Sequence, residues 1–327
     1  MFLEVRKAGK SKKFYAVYSL REGGKVVKLR RYLGKDLSAT ELAKRKKQAA
    51  SFMKEQVKNY KEIRDPLTTQ LSGTEIKQLL DIEARADVRI IHLDERQWFR
   101  FSQVFSYNTN AIEGSTLTLR DVRNIIERHK MPDKSEADIE EAKGVVEAIE
   151  YIRRAKNHVS VALIKGVHRI VFKKTKPFAG QFRSKGIEVA IKDKEGNIVH
   201  LGAPSAKIRT LLTELTRWYN EHKHKYPPIL LAAVVHNQFE NIHPFQDGNG
   251  RVGRLLLNNI LLRHRLPPVN ISFSKRQAYY ESLRAYQNTG NIRPTVELIV
   301  NEYRRYARQA GDHKKRGRGH PMRIGGK

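Results

Sequence analysis

Two apolar runs with helical periodicity dominate the second half of the chain. They cover residues 229–242 (ILLAAVVHNQFENI) and 254–265 (RLLLNNILLRHR), and both predict buried helices. Pro267 and Pro268 end the second run, because proline cannot continue a helix and restricts the residue before it. The short polar stretch between the runs is therefore predicted to be a loop joining two buried helices.

The beginning of the chain has a different pattern. Residues 2–5, 13–19 and 25–33 cluster β-formers, with Gly23 and Gly24 as a hairpin turn between the last two runs. These features predict a small β-module.

A helix is predicted to follow this module. Ser38 is its expected cap, because Glu41 stands three residues later, and the helix should run to about Ile63. Further helical patterns cover residues 74–127, 135–155, 160–172, 274–288 and about 294–310. Residues 187–191 and 198–201 predict two short strands around the polar turn 193–197. The fold class is therefore mainly α, with a small β-hairpin inside it and a β-plus-helix module before it.

Length and composition limit the number of domains, the possible site chemistry and the expected location of the protein. The 327 residues suffice for one large or two ordinary domains with a substantial core. The chain has no cysteine, which excludes disulfides, a thiolate nucleophile and cysteine-ligated zinc. The N-terminus MFLEVRKAGKSKKF has no apolar signal core, and no apolar run approaches the length of a membrane span. We therefore expect a soluble, cytoplasmic protein with no membrane partner.

The formal charge of +30 is concentrated at the two ends. Residues 1–64 contain 19 Lys/Arg against 6 Asp/Glu, a net of +13, and residues 304–327 contain 9 against 1, a net of +8. Such basic ends are compatible with a nucleic-acid partner. They are equally compatible with lysine-rich faces that only keep the protein in solution.

The loop between the two buried helices has the residues of a phosphate site. Gly248 and Gly250 flank Asn249, so backbone N–H groups can converge there without Cβ atoms in the way. The next helix presents its unpaired N–H groups to the same space. Arg251 and Arg254 share one face of that helix and can bind phosphate oxygens.

Two other residues add chemistry to this loop. Asp247 suits Mg²⁺, which is usually held by one or two carboxylates plus the phosphates of a substrate. His243 can act as a base near neutral pH. Taken singly, His243 could merely cap a helix in an ordinary turn, or it could ligate zinc together with His236 and Glu240 at i, i+4 and i+7. The combination of residues favours a nucleotide site.

The stretch from His243 to Arg254 resembles the signature of the Fic family, His-x-Phe-x-Asp/Glu-Gly-Asn-Gly-Arg-x-x-Arg, at every specified position. The resemblance implies AMP transfer from ATP to a Ser, Thr or Tyr hydroxyl of a protein. A related branch that transfers the terminal phosphate has lysine where this chain has Gly250. The implied roles are base for His243, anchor for Phe245, Mg²⁺ ligand for Asp247, α- and β-phosphate contacts for Gly248, Asn249 and Gly250, an assisting contact for Arg251, and γ-phosphate contact for Arg254.

The resemblance also gives meaning to residues 109–114. In isolation Thr109, Glu113 and Gly114 indicate a helix C-terminus, where glycine suits the left-handed stop. Beside a Fic core they match the inhibitory pattern Ser/Thr-x-x-x-Glu-Gly/Asn, which implies that Glu113 pairs with Arg254. A carboxylate there would take the guanidinium that the γ-phosphate needs.

Three further expectations follow from the resemblance. The hairpin 187–201 matches the family's flap, which holds the target segment, and the alternative is a plain surface hairpin. Tyr280 and Asn288 would line the adenosine pocket, although both could be ordinary packing residues. The predicted division is a basic module at 1–64, a helical region with the inhibitory motif at 65–134, a Fic core at 135–310, and a disordered basic tail at 311–327.

The leading hypothesis is thus a Mg²⁺-dependent protein adenylyltransferase restrained by Glu113. Its partners would be ATP and an unknown target, which could be the protein itself. One alternative is hydrolytic removal of AMP at the same site. Another is a nucleic-acid-binding regulator that uses the nucleotide site as a sensor.

Overall fold

The computed structural model of the chain describes residues 1–9, 11–22, 25–62, 74, 77, 94–184, 186–187, 189–192 and 198–317. The strands described are β1 (Phe2–Ala8), β2 (Ser11–Glu22), β3 (Lys25–Lys35), β4 (Ala190–Lys192) and β5 (Ile198–Leu201). The helices described are α1 (Ala39–Glu62), α2 (Glu95–Ile112), α3 (Leu119–Arg128), α4 (Glu136–Arg154), α5 (Val161–Phe172), α6 (Ile208–His222), α7 (Pro228–Ile242), α8 (Asn249–Arg263), α9 (Arg276–Thr289) and α10 (Arg293–Gly317). The predicted mainly α fold class is confirmed.

The predicted N-terminal module is a three-stranded antiparallel sheet in the order β1-β2-β3. Helix α1 packs on one face of the sheet, where Met53 joins Ala16 and Leu29 in the core. The predicted cap is present, because the Ser38 N–H donates to the Glu41 carboxylate and the Glu41 N–H donates to the Ser38 hydroxyl. The predicted turn at 23–24 lies outside the described residues.

Helix α7 is the centre of the helical bundle. Every residue from Ile229 to Ile242 is buried, and α7 packs against α6, α8, α9 and α10. Pro228 stands in the first turn, where its missing N–H breaks no helical hydrogen bond. Helix α8 in turn packs against α2, α4 and α5. The loop between α7 and α8 is therefore held on both sides by the core, as predicted.

Helix α2 ends at the predicted position. The Glu113 N–H donates to the Asn110 carbonyl (3.0 Å), and Gly114 follows with a φ of +100°, which favours glycine. The start of α2 has a capping box in which Asp94 and Gln97 exchange hydrogen bonds. Because hydrogen bonds define both ends of α2, the position of Glu113 at its C-terminal end is also well defined.

Several elements differ from prediction. The last helix was expected to end near residue 310 and continues to Gly317, so residues 311–317 are helical rather than disordered, and 318–327 lie outside the described residues. Helix α6 was not predicted, although Ile208, Leu211, Leu212 and Leu215 have helical spacing and are buried. The region 74–127 contains α2 and α3 with a break between them, and most of 74–93 lies outside the described residues.

The predicted flap is an antiparallel pair, with Ala190 opposite Leu201 and Ile191 opposite His200. Its turn at 193–197 lies outside the described residues. Helix α1 packs against β5, which places the N-terminal module beside this hairpin. Among the described residues, no helix combines the length and apolar character needed to span a membrane.

Candidate active site

His243 ends α7 in the left-handed conformation and begins the loop. Its φ is 50°, and its N–H donates to the Phe239 carbonyl (2.9 Å). The ring Nδ1 lies 3.3 Å from the Glu240 carbonyl oxygen. Because a carbonyl oxygen only accepts, this contact places the hydrogen on Nδ1 and the lone pair on Nε2. That tautomer is the one a base acting through Nε2 requires.

The buried guanidinium of Arg183 holds this left-handed turn in place. Its Nε donates to the His243 carbonyl (2.8 Å), and the Arg183 N–H donates to the Pro244 carbonyl (3.0 Å). The Nη groups donate to the carbonyls of Ile187 (2.8 Å) and Ala203, which stand on either side of the β4–β5 hairpin. One side chain thus joins the backbone of the candidate base to the root of the flap.

The loop closes on itself through the side chain of Asn249. Its Oδ1 accepts from the Phe245 N–H and its Nδ2 donates to the Phe245 carbonyl, both at 2.9 Å. Phe245 is fully buried, which fits the anchoring role expected for it. Since both ends of the Asn249 amide are used inside the loop, a phosphate contact at this residue falls to its backbone N–H.

A buried histidine, His168, supports the loop from the core side. Its Nδ1 accepts from the Gly180 N–H (2.8 Å), so its Nε2 has the hydrogen and donates to the Asp247 carbonyl (3.1 Å). The ring stacks on Phe245 with centroids 3.8 Å apart. Burial lowers the pKa of His168 to about 4, so the ring stays neutral and keeps both hydrogen bonds near pH 7.

Two glycines allow close approach at the predicted phosphate cradle. Gly248 has a φ of +83°, and a Cβ there would collide with the ring of Phe172. A Cβ at Gly250 would collide with Oε1 of Glu113. The Glu113 carboxylate therefore lies directly over the first turn of α8.

Asp247 stands just before the start of α8, and its side chain is 46% exposed. Its Oδ2 lies 3.0 Å from Lys176 Nζ, and its Oδ1 accepts from the Gly248 N–H (2.7 Å). Partial burial alone would raise the pKa of Asp247, but the charges of Arg251 and Lys176 outweigh it and lower the pKa. Asp247 is thus ionised and accessible, as a Mg²⁺ ligand must be.

Arg251 is largely occupied by protein groups. Its Nη1 contacts the Glu141 carboxylate and lies 3.4 Å from Oδ1 of Asn110. The guanidinium also lies 4.5 Å from the ring centroid of Phe172. Only 7% of the side chain is exposed. Its expected assisting contact with phosphate would therefore require a shared or exchanged partner.

Arg254 is bonded to three other residues around the site and is 2% exposed. Its Nε donates to the Thr109 hydroxyl (2.8 Å) and its Nη2 to the Thr109 carbonyl (2.9 Å). Its Nη1 donates to the Tyr279 hydroxyl (3.1 Å), and Nη2 also donates to Oε1 of Glu113 (2.8 Å). Burial alone would lower the pKa of Arg254, but Tyr279 and Glu113 raise it, so the guanidinium stays positively charged.

Two further titratable groups are buried behind Arg254. Burial raises the pKa of Glu240 to about 8 and lowers the pKa of His236 to about 3. The Tyr279 hydroxyl accepts from Arg254 and can therefore donate to His236 Nε2 (3.1 Å). The zinc alternative required His236, Glu240 and His243 to converge, but the described part of the chain contains no such group of three metal ligands.

The two residues predicted for the adenosine pocket behave differently. Tyr280 is half-buried, and its hydroxyl donates to the Ile112 carbonyl (3.1 Å), which joins α9 to the end of α2. Asn288 is exposed near the end of α9 and has no hydrogen bond to any of the other predicted site residues. Their role in binding adenosine stays a prediction.

Five residues that shape the site were not among the site residues predicted from the sequence. They form the hydrogen bonds and ion pairs given above, and they are Glu141, His168, Lys176, Arg183 and Tyr279. The signal for them is weak, since each stands on a different element from its partner. Charged or polar residues at otherwise apolar helical positions, such as Glu141 and His168, are the only trace that they leave.

The fold and the loop define a helical-bundle protein with a glycine-containing turn between two buried helices. The model of the Fic/DOC family matches residues 158–261. Protein adenylyltransferase Fic of Drosophila ananassae is 35% identical over 201 residues, which cover 60% of this chain and 39% of the relative. The Drosophila melanogaster protein of the same name is 34% identical with the same coverage. The match thus spans well under half the length of these curated relatives.

Solved structures of Fic proteins also resemble this chain. A Fic domain containing signaling protein from Bacteroides thetaiotaomicron aligns with a TM-score of 0.62 and 25% identity, covering 77% of this chain and 99% of that one. Fic-1 (aa134–508) from C. elegans aligns with a TM-score of 0.60 and 25% identity, covering 86% and 79%. The chain therefore contains a Fic/DOC-family domain.

Proposed function

We propose that this protein transfers AMP from ATP to a Ser, Thr or Tyr hydroxyl of a target protein, or of itself. The observation that carries the proposal is the junction of α7 and α8. There the candidate base His243 has its lone pair on Nε2, the glycine turn follows five residues later, and Arg254 lies in the second turn of α8. The name of the Drosophila relatives, protein adenylyltransferase Fic, supports the same reaction.

In the proposed reaction the hydroxyl oxygen of the target attacks the α-phosphorus, and Nε2 of His243 takes the hydroxyl proton. The bond from the α-phosphorus to the oxygen bridging to the β-phosphate breaks, and pyrophosphate leaves. The backbone N–H groups from Gly248 to Gly250 hold the α- and β-phosphates, and Arg254 meets the γ-phosphate. Tyr280 and Asn288 are proposed to line the adenosine side.

Asp247 is the residue that we propose for Mg²⁺. It is ionised and half-exposed at the edge of the cradle. A single carboxylate with phosphate oxygens and water matches the coordination that this ion prefers. When bound, Mg²⁺ supplies charge neutralisation of the phosphates. Lys176, which bonds the same carboxylate, would have to release or share it.

We also propose that Glu113 restrains the transfer. Its carboxylate bonds the guanidinium that the γ-phosphate requires, and it lies over Gly250. Charge-assisted bonds of this kind are the stronger ones in proteins. An ATP molecule with its γ-phosphate on Arg254 would have to displace this carboxylate.

Hydrolytic removal of AMP from a modified protein is the second candidate. One observation favours it: the Glu113 side chain is 29% exposed while its Oε1 bonds Arg254. A carboxylate that reaches both the cradle and solvent can orient an attacking water. In that reaction Glu113 would be required rather than inhibitory.

Intact-mass measurement distinguishes these reactions. Full-length protein is incubated with ATP and Mg²⁺, alone and with candidate targets, beside the variant His243→Ala. Transfer adds the mass of AMP, and the variant should add none while calorimetry shows that it still binds ATP. Equal labelling by His243→Ala would remove this residue as the base. Loss of mass from a modified target would favour the hydrolase.

A further inference from the structure

The sheet of the N-terminal module has one face packed on α1 and another face on which the side chains are exposed or half-buried, except for Val17, which is buried. Residues directly opposite each other in neighbouring strands lie on the same face. Leu3 opposite Ala16, and Tyr18 opposite Leu29, lie on the face that packs against the core. The alternate positions form the other face, which we call the outer face.

The outer face is defined by the strand register. Its members on β1 to β3 include Phe2, Glu4, Arg6, Lys13, Tyr15, Arg21, Lys28, Arg30, Tyr32 and Lys35. Six of these are Lys or Arg, and one is a carboxylate. Glu4 is bonded by Arg6 (2.5 Å) and Arg30 (2.9 Å), which leaves an excess of five positive charges.

Aromatic rings stand between these cations. Tyr15 lies opposite Tyr32 with ring centroids 5.3 Å apart, and Tyr32 is 46% exposed. Phe2 on β1 is 44% exposed. The guanidinium of Arg6 lies 5.1 Å from the Tyr15 ring centroid, and Lys28 Nζ lies 5.9 Å from the centroid of Phe2. The rings are therefore presented at the surface and framed by positive charge.

We propose that the outer face binds single-stranded nucleic acid. The cations would contact the phosphates, and unpaired bases would stack on Phe2, Tyr15 and Tyr32, as occurs on other sheet surfaces that bind single strands. The exposed aromatic rings favour single-stranded nucleic acid over a duplex or an acidic peptide. The bases of a duplex are already stacked on one another, and an acidic peptide needs the cations but not the aromatic faces.

This inference does not depend on the AMP-transfer reaction. It involves the described residues of β1 to β3, and its test needs no ATP. Nucleic acid bound to this sheet would lie near the flap hairpin, because α1 packs both on the sheet and against β5. A protein bound to the same strand would be held beside the hairpin proposed to receive the target. Only that consequence depends on the proposed function.

The test is fluorescence anisotropy with the full-length protein and labelled mixed-sequence oligonucleotides of about 15 nucleotides, a length within the usual site sizes. Single-stranded RNA, single-stranded DNA and a duplex are compared at several salt concentrations, with polyglutamate as competitor. We expect tighter binding of single strands than of the duplex, and little competition by polyglutamate.

Substitutions separate stacking from charge. Tyr32→Ala should weaken single-strand binding by about tenfold, since stacking of one base contributes roughly 1–3 kcal/mol, whereas Tyr32→Phe should retain it. The pair Arg21→Gln with Lys28→Gln should reduce the salt slope by about 0.7 per charge removed. The matched pair Lys46→Gln with Lys47→Gln, on the exposed side of α1, should leave the slope unchanged.

Three outcomes would overturn the proposal. One is no binding of any oligonucleotide at low salt. Another is equal affinity for single strand and duplex together with no effect of Tyr32→Ala, which would indicate attraction by charge alone. The third is displacement by polyglutamate as effective as by unlabelled oligonucleotide, which would indicate an acidic protein as the occupant.

Discussion

The Glu113 carboxylate lies 2.8 Å from Nη2 of Arg254, although the two residues are 141 positions apart in sequence. Helix α2 ends so that Glu113 reaches over the first turn of α8. The same guanidinium donates twice to Thr109 on α2. One arginine therefore joins the end of α2 to the helix that follows the candidate phosphate loop.

The variant Glu113→Gly should label itself or a target with AMP several-fold faster than the parent, because it frees Arg254 and the space over Gly250. The measurement is incorporation of labelled AMP at equal ATP and Mg²⁺. Glu113→Gln, which keeps the shape but loses the charge, should gain less. Adding Arg254→Ala should reverse the gain. If Glu113→Gly labels no better than the parent, the inhibitory assignment is wrong.

Lys176 should compete with Mg²⁺ for Asp247, since its Nζ lies 3.0 Å from Oδ2. Lys176→Met removes this cation and keeps most of the length of the side chain. We expect the Mg²⁺ concentration for half-maximal activity to fall several-fold. Lys174→Met is the control, because Lys174 bonds Glu140 instead. A rise in the required Mg²⁺ would mean that Lys176 contacts the phosphates.

Glu240 should make stability fall as pH rises. Burial raises its pKa from 4.5 to about 8, so between these values the folded protein holds a proton that the unfolded chain releases. The stabilising contribution is full below the lower value and is lost toward the higher one, at roughly 1.4 kcal/mol per pH unit at most. Urea unfolding from about pH 5 to pH 8 should show a smaller decline for Glu240→Gln. Parallel declines in the two proteins would contradict the assignment.

Arg183 should position His243 without touching ATP. Arg183→Lys loses the several carbonyl contacts that one guanidinium makes, and a small displacement of a base can lower a rate by about 100-fold. We expect kcat to fall much more than KM for ATP changes, because Asn249 and His168 hold the cradle independently. A purely structural role would instead lower Tm and leave the kcat of the folded fraction intact, and thermal unfolding measures this.

The sequence by itself determined much of the architecture. Apolar periodicity located α4, α5, α7, α8 and α9, because these helices bury either one face, as α4 does, or nearly their whole surface, as α7 does, and the local pattern of apolar residues records that burial. The residue types of one short segment, with glycines, a carboxylate and two arginines, also predict the phosphate loop between α7 and α8. Chain-end charge indicated the basic module, and β-forming clusters located its three strands.

Only the tertiary structure decided which of these residues meet. Glu141 with Arg251, His168 with Asp247 and Arg183 with His243 are pairs from separate elements, and no local spacing encodes them. The extension of α10 to Gly317 also escaped prediction, because its glycines and charges are those of a tail.

The outer face of the β1–β3 sheet is the clearest case of this division. The sequence shows which charged and aromatic residues the strands contain, but the face of the sheet on which each side chain lies depends on strand register. A shift of one residue would move every one of them to the opposite face. Burial is also decided only by the tertiary structure. The pKa of Glu240 is raised to about 8 because several helices enclose its side chain, and they do so only once the bundle has folded.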